Sequence, residues 1–258
     1  MGRVLSIIFC LIALAPVTAT AGPPFRTDDP EPVEYGHYEF YTFFTGTSVN
    51  AGTSGFGPAW EFNYGLIPDG QFHIVAPVAF DSPAGGPTQF GVGDTELGFK
   101  YRFIQEEGWR PMVGVFPFLE LPTGDETLGL GAGHYRGYLP VWFQKSSGDW
   151  TTYGGGGYWI NHGNGTLDKD YWYMGWLLQR KVTDKLVIGA EIFHQTADTI
   201  GGKDSTGFNV GAIYDFDDHH HLLASAGAGL QNASTTNVFS WYLGYQITGP
   251  LAALGALR

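Results

Sequence analysis

The stretch Gly91-Val92-Gly93-Asp94-Thr95-Glu96-Leu97-Gly98-Phe99-Lys100-Tyr101-Arg102-Phe103 decides the fold. From Asp94 onward it alternates. Asp94, Glu96, Gly98, Lys100 and Arg102 share one side, while Thr95, Leu97, Phe99, Tyr101 and Phe103 share the other. A period of two marks a strand, because successive side chains leave opposite faces of the pleat. A water-soluble sandwich would bury the apolar side and wet the charged one. A membrane barrel would do the reverse, turning the apolar side to lipid and the charges to a wet lumen. The rest of the chain has to choose between them.

The N-terminus sets the compartment. Met1-Gly2-Arg3 carries one positive side chain, Val4 to Pro16 is almost wholly apolar, and Ala19-Thr20-Ala21 is a small-x-small cleavage pattern. Residues 1–21 are therefore expected to be a secretory signal peptide, cleaved on export. The lone Cys10 lies within it. A mature chain without cysteine has to close its fold by packing and hydrogen bonding alone. Glycine is abundant (39 residues), aromatics make up 16% and charged residues only 15%. No later apolar run reaches the roughly 18 residues of a membrane helix. A formal charge of −12 argues against nucleic acid as a partner.

Residues 22–36 are rich in proline and acid: Pro23, Pro24, Asp28, Asp29, Pro30, Glu31 and Pro32. Each proline removes a ladder donor, so this segment is expected to be an arm or small plug rather than a strand. A barrel is expected over 37–248 and a tail over 249–258. Its candidate strands are His37–Thr47, Ala59–Leu66, Gln71–Phe80, Gly91–Phe103, Trp109–Leu121, Tyr135–Gln144, Trp150–Ile160, Tyr171–Lys181, Leu186–Thr196, Gly207–Asp215, Leu222–Leu230 and Val238–Thr248. Short turns near 68, 107, 147, 183 and 217 alternate with longer loops near 48–58, 81–90, 122–134, 161–169, 197–206 and 231–237. That alternation is expected of an even-stranded, closed antiparallel transmembrane β-barrel of about 12 strands, with short periplasmic turns and longer extracellular loops. Lipid satisfies no backbone group, so the sheet must close. Trp60, Tyr101, Phe103, Trp109, Phe143, Trp150 and Trp241 sit near strand ends, where interfacial girdles belong.

Three pieces of the chain resemble a known family. They are Pro24 to Pro30 with Glu39 to Phe44, the Gly91–Phe103 strand, and Leu139 to Lys145 running into Gly148 to Gly154. The resemblance is to the Gram-negative outer-membrane family labelled "meta-pathway of phenol degradation". It implies an outer-membrane barrel associated with uptake of aromatic or other small hydrophobic compounds, and it brings no catalytic motif. Expected partners are outer-membrane lipid and lipopolysaccharide, the barrel assembly machinery and a small-molecule solute. No cofactor is expected. The chain departs from the usual barrel ending, since Gly249 to Arg258 follow the last aromatic strand.

The candidate lumen residues are Glu61, Asp94, Glu96, Lys100, Arg102, Glu120, Arg136 and Glu191. They make either a polar constriction that selects by size and charge, or a salt-bridged interior that conducts nothing. Tyr41, Phe43 and Trp172 provide an apolar path in one reading and lipid-facing packing in the other. His219-His220-His221 offers metal-binding side chains, but three consecutive strand residues cannot face one ion. Asp28, Asp29 and Glu31 could ligate Ca²⁺, though a proline-rich acidic arm needs no ion. Asp125 and Glu126 lie in a presumed surface loop. His194-Gln195-Thr196 is faintly similar to the His-x-Ser pair of outer-membrane lipid deacylases. His194 lacks a serine and an acid orienter, so a channel is favoured over a lipid hydrolase, and a plugged structural barrel is a third reading. Gly154 to Gly157 is expected to relieve crowding or permit a bend.

Overall fold

The structure, a computed structural model, describes residues 23–163 and 167–251. The leader expected at 1–21 and residues 252–258 of the tail lie outside the described residues. Twelve antiparallel strands build the wall. They are β1 His37–Val49, β2 Gly52–Ile67, β3 Gly70–Pro83, β4 in two segments Gln89–Val92 and Thr95–Ile104, β5 in two segments Met112–Val115 and Phe118–Leu121, and β6 Arg136–Ser147. The others are β7 Trp150–Ile160, β8 Tyr171–Thr183, β9 Leu186–Gln195, β10 Ser205–Asp215, β11 His220–Gln231 and β12 Phe239–Pro250. Each strand pairs with its sequence neighbours, and β1 also pairs with β12, from His37 opposite Pro250 to Ser48 opposite Phe239. That last ladder closes the ring and removes its edges. Among the described residues no helix is long and apolar enough to cross a bilayer, so any crossing falls to strands.

The faces are inverted relative to a water-soluble protein. On β8, Trp172, Met174, Trp176 and Leu178 are exposed on the outside, while Tyr171, Tyr173, Gly175, Leu177 and Gln179 are buried within. On β9 Ile188 and Ile192 point out, and Glu191 is buried inside at 3% exposure. On β4 Tyr101 and Phe103 are exposed, while Lys100 is 4% exposed. A contiguous outer belt of Ile, Leu, Phe and Trp around a polar interior is a surface that only lipid satisfies. This is a transmembrane β-barrel.

Three details differ from the sequence reading. The connection over 48–58 is no long loop: β1 and β2 run on to Val49 and Gly52 and meet in a two-residue turn at Asn50-Ala51. Thr47 pairs with Ser54 and Gly46 with Gly55. These small polar residues lack the apolar alternation of the belt because they lie beyond it. Trp109 is 90% exposed in the turn before Met112, so β5 begins three residues later than the pattern suggested. The Gly91–Phe103 strand is broken at Gly93-Asp94. Gly93 N bonds Pro77 O at 2.9 Å there, and the break lets both Gly93 and Asp94 turn inward. The four-glycine run lies in β7. A Cβ on Gly156 would meet Tyr173 O at 2.5 Å, and one on Gly157 would meet Leu139 O at 2.3 Å, so only glycine admits the neighbouring backbones this closely.

Candidate functional site in the barrel lumen

Residues 23–36 run inside the wall rather than away from it, and their contacts account for three of the candidate inner charges, Lys100, Arg102 and Glu191. Glu191 accepts from Arg26 N at 2.9 Å, from Thr27 N at 2.8 Å and from Thr27 Oγ1 at 2.6 Å. Asn209 Nδ2 donates to the same carboxylate at 2.6 Å, and Ser240 Oγ donates to Asn209 Oδ1 at 3.0 Å. Lys100 Nζ donates to Asp28 at 2.9 Å and stands 3.5 Å from Asp29, which is fully buried. Gln144 Nε2 donates to Glu31 at 2.9 Å, Gln71 Oε1 accepts from Val33 N at 2.8 Å, and Ser225 Oγ donates to Pro24 O. Arg102 holds Asp69 at 2.6 Å and lies 3.9 Å from Glu31. Burial pushes the Asp29 carboxyl well above the usual range against the pull of Lys100. Burial also raises Glu31, against the Gln144 hydrogen bond and the Arg102 charge.

Glycine makes room for this segment. Gly189 and Gly211 are direct partners on β9 and β10, and a Cβ on either would come within 3.0 Å of the Phe25 ring. A Cβ on Gly175 of β8 would sit 2.1 Å from Thr27 Oγ1. Arg26 lies over the Phe193 ring, 4.4 Å from its centroid. The acids Asp28, Asp29 and Glu31 thus answer Lys100, Arg102 and Gln144, which is a use for them that involves no Ca²⁺.

The remaining candidate charges divide by height. Glu61 and Glu96 flank His73, at 3.5 and 2.7 Å, with Asn63 also 2.7 Å from His73. Glu120 and Arg136 form an ion pair, and Arg136 stands 5.4 Å from the centre of the Trp159 ring. Asp94 faces inward but is committed to the wall and loop: it accepts from Gly124 N at 2.9 Å and Ala132 N at 2.7 Å, tying down the 122–134 connection. Within that connection Asp125 caps a short 3₁₀ turn at Glu126–Leu128, and Leu130 is buried. The inner wall is also more aromatic than the pattern indicated. Tyr138, Trp159 and Tyr171 stack successively at 5.0 and 5.6 Å, beside Phe116, Phe118, Tyr173 and Phe193. Tyr41 and Phe43 are inside too, but Trp172 is 52% exposed on the outer face, so it lines no path through the lumen.

A cavity of about 1070 Å³ opens at the short-turn end between Asp184, Asp217 and His219, and reaches up to Glu61, His73 and Glu96. A second, of about 210 Å³, lies toward the long loops between Thr45, Asn209 and Tyr242. Phe25 and Arg26 border both. Of the other expected candidates, His220 Nδ1 meets Tyr245 Oη at 2.9 Å while His221 Nδ1 meets Asp215 at 2.6 Å, so the triplet splits between two faces. His194 Nδ1 meets Thr206 Oγ1 at 2.8 Å, and no carboxylate is among its described hydrogen-bond partners.

Fold and lumen together define the class: a closed membrane-spanning barrel with an ionic interior. The particular family follows from comparison. Residues 38–247 match the family described as "Putative MetA-pathway of phenol degradation", and the chain belongs to it. Among solved structures, the COG4313 outer membrane channel from Pseudomonas putida F1 is similar at 16% identity and a TM-score of 0.70, over 86% of this chain and 98% of that one. The NanC porin is similar at 6% identity and a TM-score of 0.55, over 82% and 98%. The KdgM porin, solved in complex with disordered oligogalacturonate, is similar at 9% identity and 0.51, over 82% and 98%. At these identities the likeness establishes the fold. No curated protein matches the chain.

Proposed function

We propose that the chain is an outer-membrane channel for passive uptake of small, uncharged or weakly charged solutes, aromatic compounds among them. In this reading residues 23–36 are a plug that has to move for flux. The carrying observation is the 1070 Å³ cavity that opens at the short-turn end and is stopped above by Phe25 and Arg26. Its lining is acidic overall, with Glu61 and Glu96 held at His73 and with Lys100 and Arg102 paired to Asp28, Asp69 and Glu31. Such a wall disfavours a highly charged anion, and the inner aromatics suit an apolar body. The short turns and the barrel's first and last strand ends, at His37 and Pro250, face the periplasm, the long loops meet lipopolysaccharide, and the assembly machinery inserts the barrel. Support comes from the family and from neighbours described as channels and porins. No step in this reading is catalytic, and nothing around His194 favours a hydrolase.

The test is conductance and solute flux through purified protein in planar bilayers and liposomes. The full chain, a variant lacking residues 23–33, and Glu96→Ala and Arg102→Ala on that shortened background would be compared. Larger currents without the segment, with ion preference altered by each substitution, are expected. Absence of current and flux in all four would overturn the proposal.

A further inference from the structure

One seam of the wall is interrupted by proline. Between β5 and β6, Val115 pairs with Val141 and Phe118 pairs with Tyr138. Both pairs share one register, which places Phe116 opposite Pro140 and Pro117 opposite Leu139. Two prolines thus meet in the middle of a closed wall: Pro140 removes a donor from this ladder, and Pro117, whose carbonyl faces β4, removes one from the ladder on that side. No described backbone hydrogen bond joins Phe116 or Pro117 to β6. On its other side β5 keeps one bond at this height, from Phe99 N to Pro117 O at 3.1 Å. The comparable break at Gly93 is closed by its bond to Pro77.

The seam is also apolar on both faces. Phe116 and Phe118 stand inside and line the main cavity. Outside, Leu119 is 43% and Leu139 57% exposed in the belt. Everywhere the ladder is whole, parting two strands in hydrocarbon breaks backbone hydrogen bonds that lipid cannot replace. Here the flanking bonded pairs, Gly114 with Trp142 and Phe118 with Tyr138, are four residues apart, about 13 Å along the strand at about 3.3 Å per residue, against two residues in a whole ladder. Spreading that interval sacrifices no described bond.

We infer that the β5–β6 seam is a lateral exit, through which a small apolar solute passes from the cavity into the membrane rather than along the barrel axis. The inference rests on the channel reading and specifies its route and solute class: neutral, apolar, monocyclic aromatics. Ions and polar solutes take the axial path.

The test uses the full chain, whose only cysteine is Cys10. In Val115→Cys/Val141→Cys the two positions are direct cross-strand partners, a spacing within disulfide reach. Oxidation staples the seam, and reductant releases it. Pro140→Val, alone or together with Pro117→Val, closes it independently, by restoring the N–H that faces Phe116 across the seam. Uptake of labelled toluene by cells expressing each protein is measured beside KCl conductance of the purified protein. The expected result is at least a tenfold fall in toluene uptake in the oxidised and in the valine variants, at unchanged conductance, with recovery on reduction. Wild-type uptake in a fully cross-linked barrel would overturn the lateral route, and so would uptake and conductance falling together. Conductance without any toluene uptake by the wild type would overturn this solute class while leaving the channel intact. Neither activity in the wild type would overturn both.

Discussion

Replacing Glu191 with alanine should release the N-terminal segment from the wall. The carboxylate accepts two backbone N–H groups and one hydroxyl from Arg26 and Thr27, and Thr27 is fully buried. Removing the acceptor strands three donors, two of them buried on Thr27 and one part-buried on Arg26, at roughly 1–2 kcal/mol each, so the docked state loses up to about 3–6 kcal/mol. At about 1.4 kcal/mol per decade, the released population rises on the order of 10²- to 10⁴-fold. Two assays read this directly. Trypsin should cut after Arg26 in Glu191→Ala and spare it in the wild type, and single-channel current should rise in frequency or size. Asn209 loses a partner in the same variant, so folding is checked by circular dichroism. A folded Glu191→Ala barrel with wild-type current and an uncut Arg26 would refute the assignment of this carboxylate as the anchor.

Lys100→Met leaves Asp28 and buried Asp29 without their cation and should cost about 3–5 kcal/mol, read as a lower denaturation midpoint. Leu178→Arg, near the middle of β8 on the outer face, should destabilise the inserted barrel by about 2–4 kcal/mol in lipid-vesicle unfolding. Burial pushes the Asp170 carboxyl up, but hydrogen bonds from the backbones of Asn161 and His162, the His162 ring and Tyr158 outweigh it and hold it at about 2. A depressed carboxylate contributes stability above its unfolded value of about 4 and loses it as pH falls toward 2. Amide exchange at Asn161 and His162 should therefore accelerate, relative to the intrinsic rate, between about pH 4 and pH 2, and Asp170→Asn should show that loss already at pH 7.

How much of this was legible depended on whether the signal was local. The Asp94–Arg102 alternation gave a strand with one charged and one apolar face, because side-chain direction in a strand needs only the next residue, and the alternation of short turns with longer loops along the chain then chose the inverted barrel. Glu191 stood out for the same reason, alone among Leu186, Ile188, Ala190 and Ile192. What it holds was not legible, since its partners Arg26 and Thr27 lie more than 160 positions away. A signal for that contact was nonetheless present: Gly175, Gly189 and Gly211 fall on the inner faces of three successive strands, where only a close neighbour explains missing side chains. Asp94 was expected to face the lumen, in a polar constriction or a salt-bridged interior. A single strand cannot show that a loop some thirty residues later returns to it. The 48–58 connection was misjudged because strand extending past the lipid carries no apolar mark.

The bare positions at 175, 189 and 211 amount to a mould whose cast is the chain's own beginning. A shape recorded in the wall survives removal of the piece that fits it. A barrel shortened past Pro32 should thus accept a free peptide of the sequence Pro23 to Pro32, and the dose at which that peptide silences the current would measure how tightly the two halves of one molecule recognise each other.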